Sequence, residues 1–225
     1  MNFTHVDHGH ILPELECITT PKMRTYTTPE GNKYPSATTV LSVDDSKKAG
    51  LDAWVERVGR EEADRVMRIA ATRGEAVHTL AENFLNNDPD WKKGAMPINV
   101  ATFGQIKPWL VEHVDNVWAQ EVPLYSDRLQ AAGRVDCIAE WKGQLSIIDF
   151  KTSLRAKKKE WITSYFMQTA FYAAAFYERT GVAVKNGVVV IAVDNDLPQY
   201  FEVNTFDYLK GFIELRHLFR TLKNI

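Results

Sequence analysis

The sequence predicts an α/β fold in which a mixed sheet lies between layers of helices, and three observations carry that expectation. Apolar residues of the first half recur at helical spacing, whereas beyond about residue 120 the period drops to two over three consecutive runs. A helical stretch of roughly 20 residues then separates those runs from a further one, Val188 to Val193. That run is almost entirely β-branched, as suits a strand covered on both faces, and the intervening helix serves as a crossover.

In chain order, residues 1–23 read as an irregular arm, with His5, His8 and His10 spread along a flexible segment instead of gathered as ligands. Arg24 to Tyr26 and Ala37 to Val43 alternate as short strands around Pro29, Glu30, Gly31 and Asn32. Asp45 or Ser46 could cap the long helical stretch that runs to about Asn86, with a break near Gly59. A polar loop to Pro97 leads into a second helix, about Thr102 to Gln120. Glu121 to Ser126, Ala132 to Trp141 and Leu145 to Thr152 form a meander through short turns. Lys159 to Arg179 is the crossover helix, Tyr200 to Val203 an edge strand and Phe206 to Leu222 a closing amphipathic helix. The expected organisation is one domain over 1–225: the arm, a region of strands and helices over 24–120, and an α/β core over 121–225.

Composition narrows the function classes. Apolar residues make up 45% and charged residues 25%, an ordinary globular balance able to bury a core. The net charge of −2 argues against a protein that coats nucleic acid non-specifically, but leaves room for a local basic track. Cys17 and Cys137 are the only cysteines, too few for an iron–sulfur cluster or a four-cysteine zinc site. No run reaches the roughly 18 apolar residues of a membrane span, and Met1 to His10 resembles neither a signal nor a transit segment. These features lead to the expectation of a cytoplasmic protein with free thiols and no membrane partner.

The residues that suggest chemistry sit on the meander. Asp149 and Lys151, two apart on one strand, share a face, and the short turn sets Asp136 of the preceding strand roughly opposite. Two carboxylates and an ammonium then converge, which is costly unless the charges are paired or hold a metal. A plain cross-strand ion pair accounts for the same three residues without chemistry. Gln168 and Tyr172, at i and i+4 on the crossover helix, make a polar stripe with Tyr165 that can border the acids. The apolar face of that helix is Ile162, Phe166, Ala170, Ala173, Ala174 and Tyr177. His78 lies at the edge of a stripe formed by Val66, Ala70, Val77, Ala81 and Phe84. Gly74 lies one turn earlier, and a mid-helix glycine, worth about 1 kcal/mol against alanine, marks a close approach. That imidazole could ligate a metal or merely meet solvent. Thr152, Ser153, Arg155 and Lys157 follow the lysine and offer phosphate contacts, or simply a solvated loop. Trp54, Trp91 and Tyr165 could stack bases, although core or surface packing is the more ordinary role for each.

Taken in order, Gly74-x-x-x-His78, Gly133-Arg134-Val135-Asp136, Asp149-Phe150-Lys151-Thr152-Ser153 and Gln168-x-x-x-Tyr172 resemble the RecB-type branch of the PD-(D/E)XK nucleases. The run from Asp136 through Ala192, and the opening Tyr34 to Leu41, are similar to the mitochondrial genome maintenance exonuclease family and its phage relatives. The resemblance implies a restriction-endonuclease-like core with an N-terminal helical elaboration. It implies that His78, Asp136, Asp149 and the carbonyl of Phe150 bind Mg²⁺ or Mn²⁺, and that Lys151 orients or deprotonates the attacking water. Gln168 and Tyr172 would position the DNA backbone, with Glu121 as an accessory acid behind the ligands. The activity so implied is a single-strand-preferring, end-dependent DNA exonuclease of replication, recombination or repair, in a bacterial or phage setting. A flap or structure-specific endonuclease, or an inactive DNA-binding module, are the alternatives.

Overall fold

The computed structural model describes residues 2–21, 23–194 and 196–224, with the backbone alone for 45–49. The cap expected at Asp45 or Ser46 therefore lies outside the described residues. Fourteen strands and helices are numbered in chain order. A small antiparallel sheet of β1 (Glu16–Thr19), β2 (Arg24–Thr27) and β3 (Lys33–Pro35) comes first, then a one-turn helix α1 (Ala37–Leu41). The helices α2 (Asp45–Val58), α3 (Arg60–Leu85) and α4 (Pro97–His113) follow. The main sheet has the order β4 (Val114–Ser126), β5 (Ala131–Trp141), β6 (Gln144–Ser153), β7 (Asn186–Val193) and β8 (Gln199–Asn204). Only the β6–β7 pair is parallel, reached through α5 (Thr163–Thr180), and α6 (Phe206–Lys223) closes the chain. This is the mixed sheet between helices that the change of period predicts.

Alternation divides the core. Val188, Val190 and Ala192 of β7 join Ile148, Phe150 and Trp141 under α3 and α4, where Leu80, Leu85, Phe103, Ile106 and Leu110 are fully buried. Val189, Ile191 and Val193 face the other way, toward Ile162 and Phe166 beside α5. Phe171, Phe176, Phe212 and Phe219 bring α5 and α6 onto Ile138 and Ile147. Each such side chain removed from water stabilises the fold by about 1.5–3 kcal/mol, so the sheet that carries the site is the most firmly held layer.

Four expectations are corrected. Residues 1–23 are not an irregular arm throughout: β1 lies within them, and Val6 N–H donates to Val117 O at 2.8 Å while Val117 N–H donates to Thr4 O at 2.7 Å. The arm thereby covers the exposed edge of β4, and His8 stacks on Trp118, 5.7 Å between ring centroids. Ala37 to Val43 is not a strand. Ser36 Oγ accepts the Thr39 N–H at 3.1 Å as an N-cap, and Ala37, Val40 and Leu41 are buried at helical spacing. The second helix begins at Pro97, which is tolerated in a first turn, and ends at His113. Residues 114–120, read as helix, belong to β4, which carries two register shifts against β5 that blur its alternation. Finally, the helix-flank stripe is only half right: Val77 and Ala81 are buried, whereas Ala70 is exposed. The break at Gly59 stands as expected, with φ 85° between α2 and α3.

Candidate active site

A cleft of about 240 Å³ opens at one end of the main sheet, and its walls include His78, Glu121, Asp136, Lys151, Gln168 and Tyr172. The β5–β6 register ends at the pair Cys137–Ile148, which sets Asp136 and Asp149 beside each other where the two strands part. Asp136 Oδ2 accepts the Phe150 N–H at 2.8 Å, so the first acid is fixed by the backbone of the second strand. Lys151 Nζ donates to Asp149 Oδ1 at 2.6 Å. Asp149 is 1% exposed, and its Oδ2 also lies 2.6 Å from the same ammonium, out of line for a hydrogen bond.

His78 arrives from α3. Its Nε2 lies 2.7 Å from the carbonyl oxygen of Phe150, and because that oxygen can only accept, Nε2 carries the proton. Nδ1 faces Asp136 Oδ1 at 3.6 Å and Glu121 Oε1 at 4.0 Å. The ligating atoms of His78, Glu121 and Asp136 all lie within 4.8 Å of one another. Glu121 falls opposite Asp136, between the pairs Gln120–Cys137 and Val122–Val135, with φ 47°. A left-handed non-glycine residue in a strand is a strained position that periodicity cannot reveal.

The electrostatics show how crowded this point is. Burial, reinforced by Asp136, raises Glu121 to about 7 against the opposing effect of His78. Burial likewise lifts Asp149 to about 6, although Lys151 pulls the other way. For Lys151, burial favours the neutral amine, but Asp149 and Asp136 more than offset it, leaving the ammonium above the ordinary lysine value. Tyr172 is raised well above the phenol range by burial and by Asp136, so it remains a hydrogen-bond donor.

One imidazole nitrogen and two convergent carboxylates, with the Asp149 carboxylate beside them, fit a hard divalent cation. The fit extends beyond the expected set of His78, Asp136, Asp149 and Phe150 O. Glu121 stands among the convergent donors instead of behind them, Asp149 meets the Lys151 ammonium with both oxygens at 2.6 Å, and the Phe150 carbonyl holds His78.

The remaining expected residues are distributed as follows. Gln168 and Tyr172 are both buried in the cleft wall, joined by a side-chain hydrogen bond. Gly133 explains how Tyr172 fits: a Cβ there would meet the tyrosine hydroxyl at 2.8 Å. Tyr165 lies with its ring centroid 5.3 Å from Lys151 Nζ. Thr152 is half-buried, and a Cβ at Gly74 would come no closer than 3.8 Å to its hydroxyl, an ordinary contact. Ser153 is buried, its hydroxyl donating to Arg155 O at 2.7 Å. Arg155 is exposed, and the backbone of Lys157 is pinned to Gln199. Trp91 packs on Phe84 and Phe103. Arg24, Tyr26, Ser36, Thr38 and Arg134 also line the cleft and were not singled out in sequence. The sequence carried Arg134 within the Gly133–Asp136 motif and Ser36 and Thr38 within the Tyr34–Leu41 run, neither of which says what those side chains face.

A sheet-borne pair of acids with a lysine two residues on, met by a histidine from a flanking helix, defines a class of metal-assisted phosphodiesterases. A model of the PD-(D/E)XK nuclease superfamily matches residues 48–200, and the chain belongs to that superfamily. The protein is similar to mitochondrial genome maintenance exonuclease 1 of Homo sapiens, 26% identical over 180 residues, covering 75% of this chain and 52% of the relative. The Mus musculus counterpart is 25% identical over the same shares. The chain thus spans about half the length of these curated relatives. A solved structure of a candidate exonuclease from Eubacterium rectale shares 15% identity, with a TM-score of 0.47 over 66% of this chain and 64% of that one.

Proposed function

We propose that this nuclease is a Mg²⁺- or Mn²⁺-dependent deoxyribonuclease that acts on single-stranded DNA from a free end. The convergence of His78, Glu121 and Asp136 beside the buried Asp149 carboxylate and its half-buried partner Lys151 is the observation that supports it. Those four ligating side chains would hold the cation, which lowers the pKa of water and neutralises charge growing on the phosphate.

The chain's own groups account for the rest. The Phe150 carbonyl fixes the tautomer of His78, as metal-ligating histidines commonly require. Lys151, kept charged by its two carboxylates, serves as a donor that orients water and meets a non-bridging phosphate oxygen, not as a base. Asp149 locks the head of that lysine in place. Gln168 and Tyr172 offer neutral donors along the wall where the backbone of the strand would pass. Hydrolysis adds the water oxygen to phosphorus and breaks one P–O ester bond, leaving a phosphate on one strand end and a hydroxyl on the other. By likeness to the family, the phosphate is expected on the 5′ end. Replication, recombination or repair, in a bacterial or phage setting, is the role this activity suits.

Single substitutions separate the roles. His78→Ala is expected to weaken Mn²⁺ binding, followed by calorimetry, by about 10- to 100-fold. Lys151→Met should keep most of the metal affinity yet lose at least ~10²-fold in turnover on labelled single-stranded DNA. Circular dichroism checks that both are folded. Near-wild-type turnover of a folded Lys151→Met protein would remove the lysine from the mechanism.

A further inference from the structure

The cleft has a second wall, supplied by β2, α1 and β5, that the hydrolysis described above does not use. Arg134, two residues before Asp136, is anchored on its inner side: Nη1 donates to the carbonyl oxygen of Glu121. On its outer side Nη2 donates to Glu14 Oε2 at 2.9 Å. Glu14 belongs to the N-terminal arm and its side chain is 75% exposed. An ion pair so open to water is worth at most about 1 kcal/mol, so a better anion displaces the carboxylate easily. The inner bond keeps the guanidinium fork in place when that happens.

Arg24 lies on the same wall. Among the described residues its head meets only Thr19 Oγ1, through Nε at 3.2 Å, and no carboxylate. The Tyr26 hydroxyl is close to both arginines. Burial and Cys17 raise its pKa, and the two guanidinia act against them. Thr38 adds an exposed hydroxyl to the lining. Planar guanidinium groups bind phosphate oxygens in pairs, a geometry that an ammonium cannot reproduce. The need is also local. Three carboxylates around the reacting linkage, Glu121, Asp136 and Asp149, repel the rest of a polyanionic strand, and cations immediately beside them offset that repulsion.

We propose that Arg134 and Arg24 grip the phosphate next to the cleaved linkage, and that Glu14 occupies the outer face of Arg134 until a strand displaces it. The inference rests on the nuclease reading and extends it to the recognition of a second phosphate.

The test uses fluorescence anisotropy of a labelled single-stranded DNA oligonucleotide in EDTA, over a range of salt, with KM measured separately in Mn²⁺. Arg134→Gln and Arg24→Gln are each expected to weaken binding about tenfold, to raise KM more than they lower kcat, and to reduce the salt slope by about one. Glu14→Gln should tighten binding severalfold, and the gain should vanish when combined with Arg134→Gln. A single neutral methylphosphonate, moved along the strand, should cost the wild type affinity next to the cleaved linkage, cost Arg134→Gln less there, and cost Arg134→Gln combined with Arg24→Gln nothing. Arg24 and Glu14 are exposed, so their variants carry the test even if loss of the Arg134–Glu121 bond disturbs the fold. Wild-type affinity and salt slope in the Arg24 and Arg134 variants, with cleavage intact, would overturn the subsite and leave the nuclease reading standing. Arginine-dependent binding by a wild type that cleaves nothing would do the reverse.

Discussion

Asp149, Asp136 and Glu121 crowd their negative charge into one small space, which Lys151, His78 and Arg134 partly relieve. Glu121 shows the consequence most clearly, because burial and Asp136 raise it to about 7. A carboxylate raised in the folded state contributes stability that is fully present below its unfolded value of about 4.5 and is lost as pH rises through about 7. In EDTA, Glu121→Gln should therefore melt several degrees above the wild type at pH 8, a gain on the order of 2 kcal/mol, and close to it at pH 4.5. Added Mn²⁺ should narrow or reverse the gap at pH 8, since the variant loses a ligand. A lower melting temperature for the variant at pH 8 in EDTA would mean Glu121 is held by something other than this crowding. Asp136, Asp149, Lys151 and His78 were legible in the sequence because strand alternation and a short turn bring the first three together, and a helical stripe ends at the fourth. Glu121 was read only as an accessory acid behind the ligands, and Arg134 only as part of the motif around Asp136. The one depends on a left-handed residue within a bulged strand, the other on an arm folding back across the sheet.

At the level of elements, close contacts between helix and strand set the geometry. A Cβ at Gly187 of β7 would meet Thr169 Oγ1 of α5 at 2.5 Å and Thr205 Cγ2 at 3.2 Å. Gly187→Ala should lower stability by about 1–3 kcal/mol, and Thr169→Ala in the same chain should restore part of it, read by urea unfolding. Gly133→Ala acts on the site itself. The new Cβ would strike the Tyr172 ring, so activity should fall by at least ~10-fold while the melting temperature moves little. Unchanged activity would show that Tyr172 can shift without consequence. Long periodic elements such as β7 and α6 were read to within about two residues, because their burial repeats cleanly. The errors fell where signals overlap. Ala37 to Leu41 satisfies helix spacing in one turn but also passes for alternation, and the bulges of β4 hide its period of two.

Across the whole molecule, an overall charge of −2 coexists with a cleft where acids meet arginines, so substrate attraction must be local and strongly salt-dependent. Among the described residues no helix is long and apolar enough to cross a membrane. Mixed-sheet architecture could be read from the change of period alone, whereas docking of residues 4–6 along β4 could not, since an arm without periodicity carries no record of where it lands. The most direct measurement offers linear and covalently circular single-stranded DNA, with Mn²⁺, to the wild type and to Asp149→Asn. The account predicts that the wild type degrades the linear strand and spares the circle, and that the folded variant cleaves neither. Equal loss of circles would replace end-dependence with internal cleavage, and cleavage undiminished in Asp149→Asn, or none by the folded wild type, would contradict the site.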